Sequence, residues 1–237
     1  MIPGLDALAE RHGLPEAAVG QLERLLSALA AAPDPHTTIS DPQAAVEAHV
    51  ADSLCAMELE EVRNVRALCD VGAGAGFPGL VLAVANPQAR VDLLESAGRK
   101  SALIARLAQQ ATIDNARAIT ARAEEWAARP AALGGGAEAY DVVTVRAVAE
   151  LAVLVEYAAP LLREGGVLVA WKGARSEEEE RAGGRAAEHL GMGAVEVRRV
   201  VPFAGARNRH LHVFRKEAPT PDGFPRRPGM ARKRPLG

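Results

Sequence analysis

Membrane-spanning runs, a signal segment, metal-ligand spacings and aromatic bulk are all missing from this chain of 237 residues, and each absence excludes a class of protein. No apolar stretch approaches the roughly 20 residues needed to cross a bilayer. The N-terminus has no basic segment followed by a continuous apolar one, so a cytoplasmic protein is expected. The two cysteines, Cys55 and Cys69, have neither disulfide nor metal-ligand spacing and read as reduced core thiols. Aromatic residues make up only 3%, which leaves the core to Ala, Leu and Val. Lysine is scarce too, 4 residues against 24 arginines; with the alanine excess, that reflects a GC-rich genome rather than a function.

What is present is apolar and unevenly charged. At 49% hydrophobic residues the chain can bury one good core, and one main domain with appendages is expected. The net charge of −2 conceals a gradient: residues 1–69 carry −7, residues 70–195 carry −3, and residues 196–237 carry +8. A basic end on a near-neutral chain has the form of a nucleic-acid contact surface.

The stretch from Leu68 to Gly79 organises the rest. A short apolar run from Val65 to Val71 reads as a buried strand, and it empties into the turn Gly72-Ala-Gly74-Ala-Gly76-Phe77-Pro78-Gly79. Leu80 to Ala85 then reads as an apolar helix with Pro78 in its first turn. Strand, glycine turn and helix place a nucleotide-like ligand at the carboxyl end of a parallel sheet. The glycines permit backbone angles closed to other residues and let main chain approach a ligand. Gly74-x-Gly76-x-x-Gly79 also spells a dinucleotide fingerprint, but the register Asp70-x-Gly72-x-Gly74-x-Gly76 puts a carboxylate at the strand's end, pointing into the crevice. A pyrophosphate would be repelled there and a cationic sulfonium would not, which favours S-adenosylmethionine over NAD.

The flanking sequence supplies the rest of an α/β sheet. The first 60 residues read as helical: Val19, Leu22, Leu25, Leu26 and Leu29 share one stripe, and a second helix opening at Pro42 carries Val46, Val50, Leu54 and Met57. Arg90–Glu95 is the second strand, its terminal acid placed to accept hydrogen bonds from ribose hydroxyls. Gly98–Gln110 is a basic amphipathic helix, Ala118–Thr120 a short strand, and Ala123 opens a brief helix. Gly134-Gly135-Gly136 reads as a flexible insertion before the strand Tyr140–Val145, after which Arg146 falls where crevice residues sit. A helix from Leu151 to Leu162 turns at Gly165-Gly166 into Val167–Trp171 and Lys172. Glu177 to Glu180 reads as a solvated helix face, and Val195–Val201 and His210–Phe214 as closing strands. The order predicts an open sheet ending in an antiparallel pair.

These residues resemble the RsmG/GidB family of bacterial small-subunit ribosomal RNA methyltransferases. The likeness rests on His49-x-x-Asp52-Ser53-Leu54, Asp70-Val-Gly-x-Gly-x-Gly-Phe-Pro-Gly79, Leu94-Glu95-Ser96 with Arg99-Lys100, Arg122-Ala123-Glu124-Glu125, Val145-Arg146-Ala147 and Trp171-Lys172-Gly173. It extends to the C-terminal Phe224-Pro225-Arg226-Arg227-Pro228-Gly229 and Lys233-Arg234-Pro235-Leu236. Glu95, where many members have Asp, and Ala123, where a larger aliphatic is common, are mild departures.

The resemblance implies a Rossmann-like class I methyltransferase sheet: a helical extension at 1–62 packed on the core, a methyltransferase domain at 63–216, and a basic tail at 217–237. It implies S-adenosylmethionine as cofactor, bound by Asp70, Gly72, Gly74, Gly76, Phe77, Glu95, Ala123, Glu124 and Arg146. It implies 16S ribosomal RNA or the small subunit as partner, contacted by Arg99, Lys100, Arg207, Arg209, Arg226, Arg227, Lys233 and Arg234. A monomer is expected, with no membrane partner and no metal. The reaction would be methylation of guanine N7, whose lone pair needs no general base. Arg146 and Lys172 are then the candidates for positioning the guanine or a nearby phosphate, through O6 rather than N7. By spacing alone His49 and Asp52 remain open between structural and functional roles. Two other classes also stay open: an NAD(P)-dependent oxidoreductase, although no Tyr-x-x-x-Lys is present, and a methyltransferase-like RNA-binding module without activity.

Overall fold

The computed structural model describes residues 2–237. Two helices open the chain, α1 (Leu5–His12), closed by the left-handed Gly13, and α2 (Ala18–Ala30), whose Leu22, Leu25, Leu26 and Leu29 are fully buried. Asp41 then caps α3 (Pro42–Ala45), its carboxylate accepting from Ala44 N at 2.9 Å. The predicted second helix continues, but not as one regular helix. A π-helical stretch (Val46–Ala51), α4 (Asp52–Leu54) and a 3-10 turn (Cys55–Glu58) follow in sequence. The Ser53 hydroxyl donates to His49 O, four residues back, a bond that competes with the regular ladder. Val46, Val50, Leu54 and Met57 are nevertheless all buried. The single turn α5 (Glu60–Arg63) ends this helical region.

From there strands and helices alternate: β1 (Ala67–Val71), α6 (Gly79–Ala85), β2 (Arg90–Glu95), α7 (Gly98–Gln110), β3 (Ala116–Thr120), α8 (Ala123–Ala127), β4 (Tyr140–Arg146), α9 (Leu151–Ala158), β5 (Leu162–Lys172), α10 (Glu177–His189), β6 (Met192–Arg199) and β7 (His210–Lys216), with α11 (Met230–Lys233) in the tail. The seven strands form one sheet in the order β3-β2-β1-β4-β5-β7-β6, with β7 antiparallel to both neighbours. β1 leads outward to β2 and β3 on one side, and β4 opens the other. The strand order therefore reverses between β1 and β4, where crevices form in open α/β sheets. No helix among the described residues is long and apolar enough to cross a membrane.

One apolar layer joins α1, α2, the 42–58 segment, α6 and α7 to the sheet; the other joins α8, α9 and α10 to the opposite face. Phe224, Ala231 and Leu236 of the tail belong to the second layer.

Four local expectations are corrected. The 134–136 glycines are not a flexible insertion: Gly135 N and Gly136 N donate to Pro130 O and Trp126 O, both at 3.0 Å, and a Cβ on Gly136 would stand 2.3 Å from Trp126 Cδ1. α9 ends at Ala158 because Pro160 cannot continue it, and Gly165-Gly166 lie inside β5 rather than before it. A bulge between Ala194 and Glu196 breaks the β6 alternation and leaves Val195 half exposed. Of the four glutamates opening α10 only the first two are solvated. Glu179 binds Leu151 N and Lys172, and Glu180 binds Arg175 and His212.

The tail corrects a fifth. Arg226 is not free for RNA, because its guanidinium forks onto both oxygens of Glu156, a side chain buried within α9. Arg226→Ala strands that carboxylate, so a stability loss of about 3 kcal/mol is expected. Chemical denaturation of the variant measures it, and a loss under about 0.5 kcal/mol would mean the pair holds nothing.

Candidate active site

The 72–79 loop is tied from beneath at every turn. Gly72 N and Ala73 N both donate to Leu94 O, at 2.8 and 3.1 Å, while Gly74 N donates to Glu95 Oε2 at 3.1 Å. Gly72, Gly74 and Gly76 all have positive φ, the conformation that favours glycine.

Asp70 lies under this loop, not in the crevice. It is buried, and its two oxygens accept from Gly79 N at 2.9 Å and the Thr144 hydroxyl at 2.8 Å. The expectation that it faces the ligand is corrected: β1 is central, and the alternation turns this side chain toward α6. Its role is to fix the strand–loop–helix turn, and it occupies the Gly79 amide that a dinucleotide phosphate would approach. Gly76 is likewise a packing glycine, since a Cβ there would sit 2.5 Å from Leu80 Cδ1.

Burial pushes the Asp70 carboxyl up from 3.8 to about 6, although Thr144 and Gly79 favour its charged form. A raised carboxyl pKa gives stability that is present at low pH and lost as pH rises through the folded value. Asp70→Asn is therefore expected to gain about 2 kcal/mol relative to wild type between about pH 4 and pH 7. Urea midpoints at the two pH values check this, and parallel curves would refute it.

Above the loop lies a cavity of about 510 Å³ at the carboxyl ends of β1, β2 and β4. It brings together Gly72, Gly74, Phe77, Glu95, Ala123, Glu124 and Arg146, so seven of the nine residues implied as cofactor contacts share one space. Glu95 is held by Gly74 N and by Ala97 N, the latter at 2.8 Å. Each oxygen keeps a lone pair for another donor. Glu124 gives one oxygen to Gly229 N of the tail at 2.8 Å. Sequence reasoning missed Thr37, Val148, Tyr157 and Arg232 in this lining. No spacing signals them, because three distant segments fold over the cavity.

A second cavity of about 580 Å³ adjoins the first, and the two share His49, Arg146 and Ala147. Arg146, ending β4, donates to Asp52 Oδ2 at 2.8 Å across the boundary with the N-terminal helices. His49 stacks on Phe77, centroids 4.4 Å apart, and contacts Ile39 O at 2.9 Å. Burial and the Arg146 charge lower its pKa, which keeps the ring neutral at pH 7. Ala147 holds a φ of 56°, a left-handed conformation costly to a residue with a Cβ. Lys172 lines the second cavity rather than the first, with its ammonium 2.5 Å from Glu179 and 3.2 Å from Ala149 O. Trp171 donates to Asp52 O at 2.9 Å and completes the wall with Ile39, Phe203 and Arg209.

The expected RNA contacts divide among five places. Lys100 lines the first cavity and Arg209 the second. Arg99 and Arg207 are exposed on the opening of α7 and on the 201–209 loop. Arg227, Lys233 and Arg234 are exposed on the tail, whereas Arg226 is committed to Glu156.

Comparison with known proteins agrees with this geometry. The GidB family model, described as rRNA small subunit methyltransferase G, matches residues 21–211. The chain is similar to "Ribosomal RNA small subunit methyltransferase G" of Pelotomaculum thermopropionicum, 40% identical over 201 residues, covering 84% of this chain and 82% of the relative. The same-named protein of Roseiflexus castenholzii is 40% identical over 201 residues, covering 84% and 83%. Among solved structures, the O-methyltransferase from Bacillus cereus in complex with SAH shares the fold at a TM-score of 0.57 and 17% identity, over 83% of this chain and 90% of that one. With the family model spanning most of its length, this chain belongs to the GidB family of small-subunit ribosomal RNA methyltransferases.

Proposed function

We propose that this protein methylates N7 of a guanine in the RNA of the small ribosomal subunit, with S-adenosylmethionine as methyl donor and as a cytoplasmic monomer. The observation that carries the reading is the pair of cavities meeting at His49, Arg146 and Ala147. One is walled by a glycine loop and two acids, the other by cations and an aromatic pair. The first cavity suits the cofactor on this chain's own evidence. The Gly74 Cα faces open space, with no atom but Gly72 O near a Cβ there, at 3.9 Å. The prepositioned Glu95 keeps acceptor capacity for hydroxyl donors.

When bound, the cofactor supplies an electrophilic methyl group on a sulfonium. The remaining work falls to the protein. Gly72 and Gly74 present bare main chain, Glu95 holds the ribose, and Ala123 and Glu124 close the adenine end. Arg146, fixed by Asp52, stands between the two cavities, and Lys172, fixed by Glu179, faces the second. Guanine N7 already carries its lone pair, so the residues act by alignment and exclusion of water and not as a base.

Labelled methyl transfer into small-subunit RNA, followed by mapping of the modified nucleotide, tests the reading. Methylation at a guanine N7 is expected, and binding of NADH in place of S-adenosylmethionine would overturn it. For the tail, Arg227, Lys233 and Arg234 together changed to alanine are expected to flatten the salt dependence of RNA binding by up to about three logarithmic units per decade of salt. Cofactor affinity is expected to stay unchanged. An unaltered slope would show the tail to be a packed strap alone.

A further inference from the structure

Two buried polar atoms beside the second cavity lack hydrogen-bond partners, His49 Nδ1 and Asp52 Oδ1. Both residues are more than nine-tenths buried, at 7% and 6% exposure. Native proteins rarely leave such atoms unmatched, because desolvation without a partner costs stability. The second Asp52 oxygen, Oδ2, is satisfied by Arg146. Nothing donates to the first: Arg209 Nε stands 3.6 Å from it, within ion-pair range but beyond hydrogen-bond reach, on a side chain 46% exposed. Asp52, Trp171, Phe203 and Arg209 belong to one cavity of about 580 Å³, within the ~300–1,000 Å³ of ligand pockets.

Resting on the methylation reading above, we infer that this second cavity receives the target base, and that Asp52 selects guanine by accepting hydrogen bonds from its N1–H and 2-amino group. An enzyme acting on a base turns it out of the stack and reads its Watson–Crick edge. On guanine that edge offers two adjacent donors, which an anionic carboxylate accepts. Adenine presents an unprotonated N1 at the same place, and the carboxylate repels it. N7 lies on the opposite edge of the purine, so a base held by Asp52 keeps N7 free, as methylation requires. Arg209 acts as a removable cover: the entering base replaces it beside Oδ1, and the released guanidinium is free to meet O6 or a phosphate. The anchored neighbours explain how Asp52 keeps its place. Trp171 donates to its carbonyl and Arg146 to its other oxygen.

The test removes the 2-amino group from the RNA. Small-subunit RNA carrying inosine in place of the methylated guanosine, assembled into the particle, is compared with unmodified RNA using wild-type enzyme and Asp52→Asn. Charged hydrogen bonds of this kind correspond to about tenfold or more in rate. Wild type is therefore expected to lose at least about tenfold in kcat/KM on inosine. Asp52→Asn is expected to be slowed on guanosine while its inosine penalty shrinks below about threefold. Titration with S-adenosylmethionine shows whether the variant retains its cofactor cavity. Should it fail to fold, the wild-type comparison alone decides. Equal rates on inosine and guanosine in wild type, or an unchanged inosine penalty in Asp52→Asn, would overturn the inference and leave Asp52 as a support for Arg146. No methylation of the unmodified RNA would instead overturn the methylation reading itself.

Discussion

Gly74→Ala is expected to lower affinity for S-adenosylmethionine at least about tenfold while costing only about 1–2 kcal/mol of stability. The asymmetry comes from where the new methyl group goes. At Gly74 a Cβ meets nothing in the protein nearer than Gly72 O at 3.9 Å, and the backbone penalty is confined to a φ of 59°. The residue lines the first cavity, so the methyl group occupies space the cofactor needs. Gly72→Val is expected to abolish binding, but less informatively. A Cβ there would stand 2.6 Å from Val148 Cγ2 and the φ is 70°, so the loop itself must move. Calorimetric titration of both variants, with thermal unfolding alongside, separates the effects. If Gly74→Ala binds as wild type does, the cofactor does not approach the loop.

Arg146→Ala is expected to reduce methyl transfer at least about a hundredfold, some 2.7 kcal/mol, and to change cofactor affinity by less than about threefold. The guanidinium borders both cavities, but its hydrogen bonds run to Asp52 and Ala48 O on the second-cavity side. Its removal leaves a buried carboxylate with only the half-exposed Arg209, 3.6 Å away, as an ion-pair partner, so a stability loss of about 2 kcal/mol accompanies the change. Single-turnover rates and cofactor titration on the same preparation decide. A parallel fall in both would move Arg146 to the cofactor; unchanged activity would make it a structural ion pair. Arg146→Lys is not a conservative control, since it keeps the charge but loses the planar guanidinium whose Nη1 serves both Asp52 Oδ2 and Ala48 O.

Much of the first cavity's lining was legible because its determinants are local. A strand of apolar residues, glycines at alternate positions and an acid ending the next strand are each set by φ/ψ preference and by the period of the strand. Gly72, Gly74 and Glu95 follow by number from that local pattern, whereas Phe77, Ala123 and Glu124 rest on the family resemblance. Where the reading failed, a partner distant in sequence intervened. A position at a strand end, taken alone, points Asp70 toward the ligand. Gly79 N and Thr144 draw it the other way.

The sequence by itself determined the α/β sheet, the glycine loop with its acid, and the charge excess of the last 42 residues, because each depends on neighbours along the chain. Only the tertiary structure decided which charges act. Arg226 is spent on Glu156, 70 residues away, while Arg227, Lys233 and Arg234 stay in water. It also joined Asp52 to Arg146 across 94 residues and left the carboxylate's other oxygen unmatched beside a cavity. A side chain's charge is written in the sequence. Whether that charge is buried, paired or left open to a ligand depends on which surfaces meet when helices and sheet pack, and that is fixed only by the fold.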